Sequence, residues 1–341
     1  MLEQEVYEIK EEDEIKKLGL ITKNIIKWVI NNLKFIFIPA YKLNALVEKE
    51  EKHERTVSKR KFIRRFKSFL TILGIILVFA VVTMAVFPHW LAPYTEADAS
   101  GVFPGTWANP SPEHPLGTTS FGRDVLTRLI FGARTSLIVA LPAIGLSVIL
   151  GVIIGIIAAF YGGWLDTVIM RLMDILLAFP GLILALVFIS VFTDLFKTDV
   201  RIEYIMLAWG ILGVPFYSRL IRGSVLQAKE LPYIQAARVA GAGNFRIMFK
   251  HILPNVIQPI IISVTFDIGG IILSLAGLSF LGFSDPQLID WGNEISRTRE
   301  RLYDAPWASL FPGFFILLSV LGFMLLGDGL RDALDPRLRD L

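Results

Sequence analysis

The segment between Gln235 and Pro254 has the most distinctive spacing of small, polar and helix-breaking residues in the sequence. Its pattern predicts a short helix over residues 234–240 and an interruption at the glycines that follow. A second helix is predicted to begin at Asn244, a suitable N-cap residue, and to end at residue 251, before the proline. Two short helices joined by a glycine break would form a compact knob between larger elements.

The small side chains of Ala236 and Ala237 would let a partner surface approach this knob closely. If the knob is rigidly attached to the elements on either side, it could transmit the motion of a partner to them. An ordinary amphipathic connector explains the same spacing. The residues alone leave both interpretations open.

Several familiar catalytic patterns are missing from the chain. No glycine is followed by lysine, so the sequence contains no P-loop to hold the phosphates of ATP. There is no Gly-x-Ser-x-Gly elbow, and cysteine is absent. The four histidines are scattered without metal-ligand spacing. We expect no enzymatic activity, cofactor, metal site or nucleic-acid partner for this chain alone. If the chain takes part in an ATP-driven process, the ATP must be hydrolysed by another subunit.

The elements that position the knob are predicted to lie in a membrane. Hydrophobic residues make up 54% of the chain, charged residues 19%, and the mean hydropathy is +0.58. These values, with apolar blocks close to the length needed to cross a bilayer, indicate an all-α polytopic fold. The first seventeen residues carry charges of both signs, so we expect no cleavable signal peptide.

Six spans are predicted. Their approximate bounds are 69–87, 136–161, 168–192, 205–221, 256–283 and 310–326. Gly151 and Gly155 in the second span have the spacing that lets two helix backbones approach closely. Pro180 and Gly181 predict a kink inside the third span. The segment 88–135 is then an external loop, and the segment 222–255 contains the knob.

The distribution of Lys and Arg predicts the orientation. Nine basic residues lie between Lys49 and Lys67, which places the N-terminus in the cytoplasm. With six spans the C-terminus is cytoplasmic too, and the segment 222–255, rich in Lys and Arg, lies on the same side. The loop 284–306 carries three arginines and is the weakest fit to an external location.

The N-terminal extension, residues 1–68, contains an apolar stretch from Leu20 to Ile38. Its lysines recur at helical spacing along one stripe, which predicts an amphipathic helix in the inner membrane interface. The basic run from Lys59 to Lys67 would attract anionic lipid. A plain solvated segment that only sets the topology is the alternative.

Charged residues inside the predicted spans are also candidates for function. Asp267 lies within the fifth span, where an acidic side chain is costly unless it faces the bundle interior or a wet cavity. Arg171 and Asp174 are three residues apart in the third span and are predicted to pair on one helix face.

The knob resembles the Glu-Ala-Ala-x-x-x-Gly loop of ABC importer permeases. This sequence has Ala236, Ala237, Gly241 and the ending His251–Pro254, but Gln235 stands where the family usually has glutamate. In the family this loop forms the helix that docks on the nucleotide-binding subunit. The resemblance implies that the loop contacts an ATPase through Gln235, Ala236, Ala237, Gly241, Arg246, His251 and Pro254. The loss of the carboxylate predicts docking by shape and Ala/Gly contact more than by charge.

The resemblance covers roughly residues 66–339 and rests on several motifs in the same order. They are His114–Thr118, Gly122–Val125, Gly132–Arg134, Ala178–Pro180, Leu278–Gly282 and Gly327–Pro336. All are similar to the C-type permease of the dipeptide/oligopeptide group. The resemblance implies a complex with a homologous second permease, two ATP-binding subunits and an extracytoplasmic substrate-binding protein in the plasma membrane.

The resemblance leaves the cargo and several roles open. Relatives in this group also carry oligosaccharides, nickel chelates or glutathione. Asp267 could line the path and attract a peptide amino terminus, or it could pair with the partner permease. Leu275 stands where relatives often carry glutamate. Arg123 and Asp124 could lie near the docked binding protein, or they could only cap and solvate a helix.

Two other classes of membrane protein fit the sequence less well than an importer does. A secondary transporter would show internal symmetry with broken helices at matching positions, and no such repeat is evident. A membrane scaffold without transport would carry no polar residue in its spans. Asp267 lies in a predicted span and argues against this class.

Overall fold

A computed structural model describes residues 68–285 and 288–334, together with Lys23. The interfacial helix predicted over residues 20–38 lies outside the described residues except for Lys23. The basic run 59–67 and the arginines after residue 334 lie outside them as well.

The regular structure of the described residues is helical, and their only bridge between extended segments is the isolated one from Thr118 to Asp124. The longer helices are α1 (Phe69–Val86), α2 (Val125–Tyr161), α3 (Gly163–Leu177), α4 (Gly181–Phe196), α5 (Ile202–Ala228), α6 (Pro232–Val239), α7 (Gln258–Phe280), α8 (Trp291–Thr298) and α9 (Trp307–Leu334). Short helices cover Pro88–Leu91, Glu96–Ser100, Asn244–Arg246 and Leu253–Val256.

Five of these helices, α1, α2, α5, α7 and α9, are long and apolar enough to cross a membrane. Helices α3 and α4 satisfy the same test together but are bent by 93° at the break between them. Counted as one broken span, this pair brings the number of spans in the described part of the chain to six. The all-α polytopic fold is therefore confirmed.

Helix α2 begins earlier than predicted. Asp124 is its N-cap, and its Oδ2 accepts from the backbone N–H of Thr127 at 2.7 Å. At 1.5 Å per residue the 37 residues of α2 are about 55 Å long, which exceeds the ~30 Å of a hydrocarbon core. The external loop predicted over 88–135 therefore ends at residue 124. Arg128, which falls within the predicted loop, is instead part of α2, and its side chain is buried against Glu294 and the carbonyl of Ala99.

The kink predicted at Pro180 is a complete break. Helix α3 is capped at Ala178, and α4 begins at Gly181 after the proline. Because proline has no N–H to donate, the helix cannot continue through it without losing a hydrogen bond. Backbone of this kind at membrane depth is tolerated where it is buried in protein or lines a cavity.

The close packing predicted at Gly151 and Gly155 is confirmed within this chain. A Cβ atom at Gly155 would lie 2.3 Å from the carbonyl oxygen of Ser218, and one at Gly151 would lie 2.6 Å from the Cβ of Tyr217. The two glycines thus let α2 and α5 form the most extensive helix pair of the described residues.

Helix α3 is attached to α5 by two ion pairs. Arg222 donates to both carboxylate oxygens of Asp166, at 2.7 and 2.6 Å, and Arg219 binds Asp174. The predicted pairing of Asp174 with Arg171 is therefore wrong. Spacing on one helix permits that pair, but the facing helix α5 presents a guanidinium to the same carboxylate.

Candidate functional site

The first part of the loop is the predicted short helix with a tight end. Helix α6 runs over Pro232–Val239, and Gly241 follows with φ of +80°. Gly241 N–H donates to the carbonyl of Arg238, and Ala242 N–H donates to that of Ala237, both at 3.0 Å. This is a Schellman motif, in which glycine takes the left-handed conformation that other residues adopt only at a cost.

The second part of the loop differs from the prediction. Asn244 is the first helical residue and not the N-cap, a position that Gly243 occupies with extended backbone. The helix also does not stop before Pro254, since a wider π-helical turn over Ile247–Ile252 leads into Leu253–Val256. Leu253 N–H donates to the carbonyl of Met248, five residues back. Because Pro254 has no N–H for a regular turn, the wider turn lets the chain pass through it.

One side of the loop is buried in the same core as the spans. The shared cluster contains Val152, Ile156, Ala159, Tyr217, Ile221, Val225, Ala228, Ile234, Ile247, Met248, Ile252, Val256 and Ile260. Its members come from α2, α5, the loop and the start of α7. The loop is thus fixed by packing to α2 and α5.

The other side of the loop is open. Most of the residues predicted to contact a partner are exposed, namely Gln235, Ala236, Gly241, Arg246 and Pro254, while Ala237 and His251 are half-buried. Two apolar residues on this surface were missed by the sequence prediction. Val239 is 91% exposed and Phe245 is 72% exposed. Only the packing of Ile234 and Ile247 into the core shows which side of the loop is open, so the sequence alone contains no signal for these two residues.

Gln235 uses its amide as a donor. Its Nε2 lies 3.3 Å from the carbonyl oxygen of Glu230, just before α6. A glutamate carboxylate has no proton for this bond at neutral pH. Gln235 therefore leaves this exposed position uncharged and makes a contact within the loop.

Asp267 lies in a cavity of about 470 Å³ between α2, the α3–α4 break, α5 and α7. Tyr217 donates from its Oη to Asp267 Oδ2 at 2.6 Å. The other lining residues are Ile144, Ser147, Leu176, Leu177, Phe179, Gly181, Trp209, Leu212, Gly213, Phe216, Gly270, Ile271 and Ser274. Asp267 is the only charged residue in this set.

Leu275, where the resemblance implies glutamate in relatives, lies in a different environment. It is 3% exposed and packs in an apolar cluster with residues of α4 and α5. It is not among the residues that line the cavity. An acid at this position would therefore not occupy the place that Asp267 has.

On the opposite side of the bundle from the loop, Arg123 and Asp124 stabilise the start of α2. Arg123 Nε donates to the carbonyl of Gly101 at 2.6 Å, and Asp124 Oδ1 lies 3.1 Å from Nδ1 of His114. Burial lowers the pKa of Arg123. Capping is thus one role of Asp124, but the carboxylate is buried and not solvated.

Together, the bundle of apolar helices, the cavity between them and the loop with one packed and one open side define the membrane-spanning part of a transporter. Residues 151–340 match the family model described as binding-protein-dependent transport system inner membrane component. A dipeptide transport system permease protein from Alkalihalophilus pseudofirmus is 41% identical over 276 residues, 80% of this chain and 88% of the relative. The chain therefore belongs to this family of transport permeases.

Other relatives are named as glutathione permeases and not as dipeptide permeases. A glutathione transport system permease protein from Pectobacterium atrosepticum is 37% identical over 284 residues, 82% of this chain and 91% of the relative. The corresponding protein from Escherichia coli is 37% identical over 283 residues, 82% of this chain and 90% of the relative. In this family the permease works with ATPase subunits and a binding protein in a membrane.

Proposed function

We propose that this chain forms half of the translocation path of an ATP-driven importer for di- or oligopeptides. The observation that carries the proposal is the loop around α6, which is packed against α2 and α5 on one side and exposed on the other. A partner that moved the exposed side would move the two spans with it. The peptide cargo is supported by the relative named as a dipeptide permease.

The exposed surface of this loop is the proposed contact with an ATPase subunit. Ala236 and Gly241 offer little side chain, and Val239 and Phe245 offer apolar area that water does not favour. In the proposed cycle ATP closes a dimer of two ATPase subunits, their coupling loops move together, and the spans change from inward- to outward-facing. ATP hydrolysis takes place on those partners.

A homologous second permease completes the path in this proposal. The ion pair between Asp174 and Arg219 supports it, since both side chains are about half exposed although they belong to candidate spans. Charges at such a position are expected to face protein or water and not lipid. An extracytoplasmic binding protein would deliver the substrate to the side opposite α6, and both termini of the chain would be cytoplasmic.

Glutathione is the second candidate cargo, because two of the relatives above are named as glutathione permeases. Oligosaccharides and nickel chelates follow from the family resemblance alone. Since the binding protein selects the cargo in such systems, ligand identification on that protein separates these candidates.

The test is purification of the chain from its native membrane, followed by uptake in proteoliposomes. We expect two ATPase subunits and a second permease to co-purify, and we expect uptake of a labelled tripeptide only when ATP and the binding protein are present. Purification of the chain by itself with uptake that ignores ATP would contradict the proposal and favour a secondary transporter.

A further inference from the structure

The Asp267 carboxylate has hydrogen-bond acceptor positions that the described part of the chain does not occupy. A carboxylate offers about four lone-pair positions, and the hydrogen bond of Asp267 in the described residues is the one from Tyr217 to Oδ2. The hydroxyls that line the same cavity are already committed. Ser147 Oγ donates to the carbonyl of Gly210 and Ser274 Oγ to that of Gly270, each at 2.8 Å. The Asp267 carboxylate is therefore the charged acceptor in the lining, and most of its lone-pair positions are free.

The cavity favours an organic cation over a metal ion. Calcium takes six to eight oxygen ligands and magnesium nearly ideal octahedral geometry, whereas this cavity has one carboxylate among mostly apolar residues. Trp209, Phe179 and Phe216 add aromatic rings to the lining, and aromatic faces attract ammonium groups. The cavity of about 470 Å³ is in the range of ~300–1,000 Å³ that small-molecule sites occupy.

We propose that Asp267 binds the terminal ammonium group of a peptide as it passes through this cavity. The inference rests on the proposed function, because it takes peptides as the cargo. The α-ammonium is common to peptides of any side-chain sequence, so a site that binds it alone holds different peptides equally well. Tyr217 keeps Asp267 Oδ2 in place and leaves Oδ1 for the ligand.

The first test measures binding directly. A hydrophobic carbodiimide modifies carboxyl groups within membranes, and mass spectrometry of the purified complex in nanodiscs reports the modified fraction of Asp267. Trialanine should slow this modification, while N-acetyl-trialanine at the same concentration should not. Equal protection by both peptides, or by neither, would overturn the inference. No binding protein is needed, so cargo selection by that protein does not affect the result.

The second test measures transport at saturating binding protein. An Asp267→Asn variant should import trialanine about tenfold more slowly, the loss expected for one charge-assisted hydrogen bond. Uptake of N-acetyl-trialanine relative to the wild type should change much less. Asp267→Glu should restore most of the rate. Asp194→Asn, which neutralises an exposed carboxylate that does not line the cavity, is the matched control.

The outcomes separate the two proposals. If Asp267→Asn lowers uptake of both peptides by the same factor, Asp267 is a positioning residue and the inference fails. If the wild-type complex hydrolyses ATP but imports neither peptide, the peptide cargo is wrong. The carbodiimide experiment then still decides whether Asp267 binds an ammonium group.

Discussion

Tyr217 and Asp267 join the two helices between which the loop containing α6 lies. The phenol of Tyr217 on α5 donates to Asp267 on α7 at 2.6 Å, and α5 leads into the loop from which α7 emerges. Tyr217 is also 1% exposed and packs against Gly151 of α2. One hydrogen bond therefore connects α5 with α7 at the wall of the cavity.

Replacing Tyr217 by Phe should lower the unfolding free energy of the chain by about 1 kcal/mol. The substitution removes the donor to Asp267 and keeps the ring that fills the core. Denaturant unfolding in mixed micelles measures the difference. Tyr204→Phe is the matched control, because Tyr204 is also in α5 and also buried, but its hydroxyl bonds Thr198 near the start of the helix, away from the cavity. We expect slower uptake only for the change at Tyr217, and equal uptake by both variants would argue against the connection.

Replacing Gly155 by Ala should destabilise the chain by about 1–3 kcal/mol through overpacking. The added methyl group would meet the carbonyl oxygen of Ser218, and backbone cannot rotate away as a side chain can. Gly145→Ala in the same helix has open space around the added atom and should be neutral or slightly stabilising. Thermal unfolding of the two variants in the same detergent tests this, and equal melting temperatures would refute the close contact of α2 with α5.

Replacing Gly241 by Val should uncouple ATP hydrolysis from uptake. The left-handed backbone with φ of +80° costs a residue with a side chain about 1–2 kcal/mol, and a β-branched one more. The Schellman end of α6 would then reorganise, and we expect about a tenfold loss of uptake with ATPase activity retained. Gly243→Val is the control, since Gly243 has extended backbone at negative φ and open surroundings. Full transport by the Gly241 variant would refute the coupling role of the loop.

Replacing Arg128 by Met should cost about 3–5 kcal/mol, because it leaves the carboxylate of Glu294 buried without its partner. The side chains of Arg128 and Glu294 are only 5% and 6% exposed. A second change, Glu294→Leu, should recover most of this loss. Arg301→Met removes a comparable pair with Asp304 at the surface and should change stability by less than about 1 kcal/mol. A double variant no more stable than the single one would contradict this account.

The stability of α8 should depend on pH through Asp290, its N-cap. Burial raises the pKa of Asp290 from 3.8 to about 6, against the effect of the hydrogen bonds from the N–H groups of Gly292 and Asn293. The neighbouring charge of Glu294 raises it further. Between pH about 4 and 6 the folded chain therefore holds a proton that the unfolded chain releases. Its contribution to stability is complete below pH about 4 and is lost as the pH rises to about 6.

The loss across this range is at most about 3 kcal/mol, since one pKa unit corresponds to about 1.4 kcal/mol. Hydrogen exchange of the Gly292 and Asn293 amides, corrected for the intrinsic pH dependence, measures it. Asp290→Asn keeps an N-cap side chain and should remove the dependence. Protection of these amides that rises with pH in the wild type would show that the stability of α8 depends on pH in the opposite direction.

The coarse prediction of the spans succeeded because it depends on local properties. A helix that crosses lipid must be long and apolar along its whole length, so α1 and α9 could be recognised from composition alone. Helix α2 was predicted too short, since its first turns carry Arg128, whose charge is buried only because a distant residue neutralises it. Glu294, which does so, is 166 positions away.

Some residues of the candidate site could be recognised from the sequence, and others could not. Gly241 was recognised because a left-handed helix end has a local signature in the sequence, and Asp267 because a charge in a span is rare. Val239 and Phe245 were missed because only the packing of Ile234 and Ile247 decides which side of the loop is open.

The sequence by itself determined the family, the helical fold and the position of the loop, since all three depend on residue types and spacing along the chain. Only the tertiary structure decided how the charges pair. Asp174 meets Arg219 and not Arg171, and Asp267 receives the hydroxyl of Tyr217 fifty positions away. Such contacts depend on which helices face each other in the folded chain. The order of residues along the sequence does not specify that arrangement.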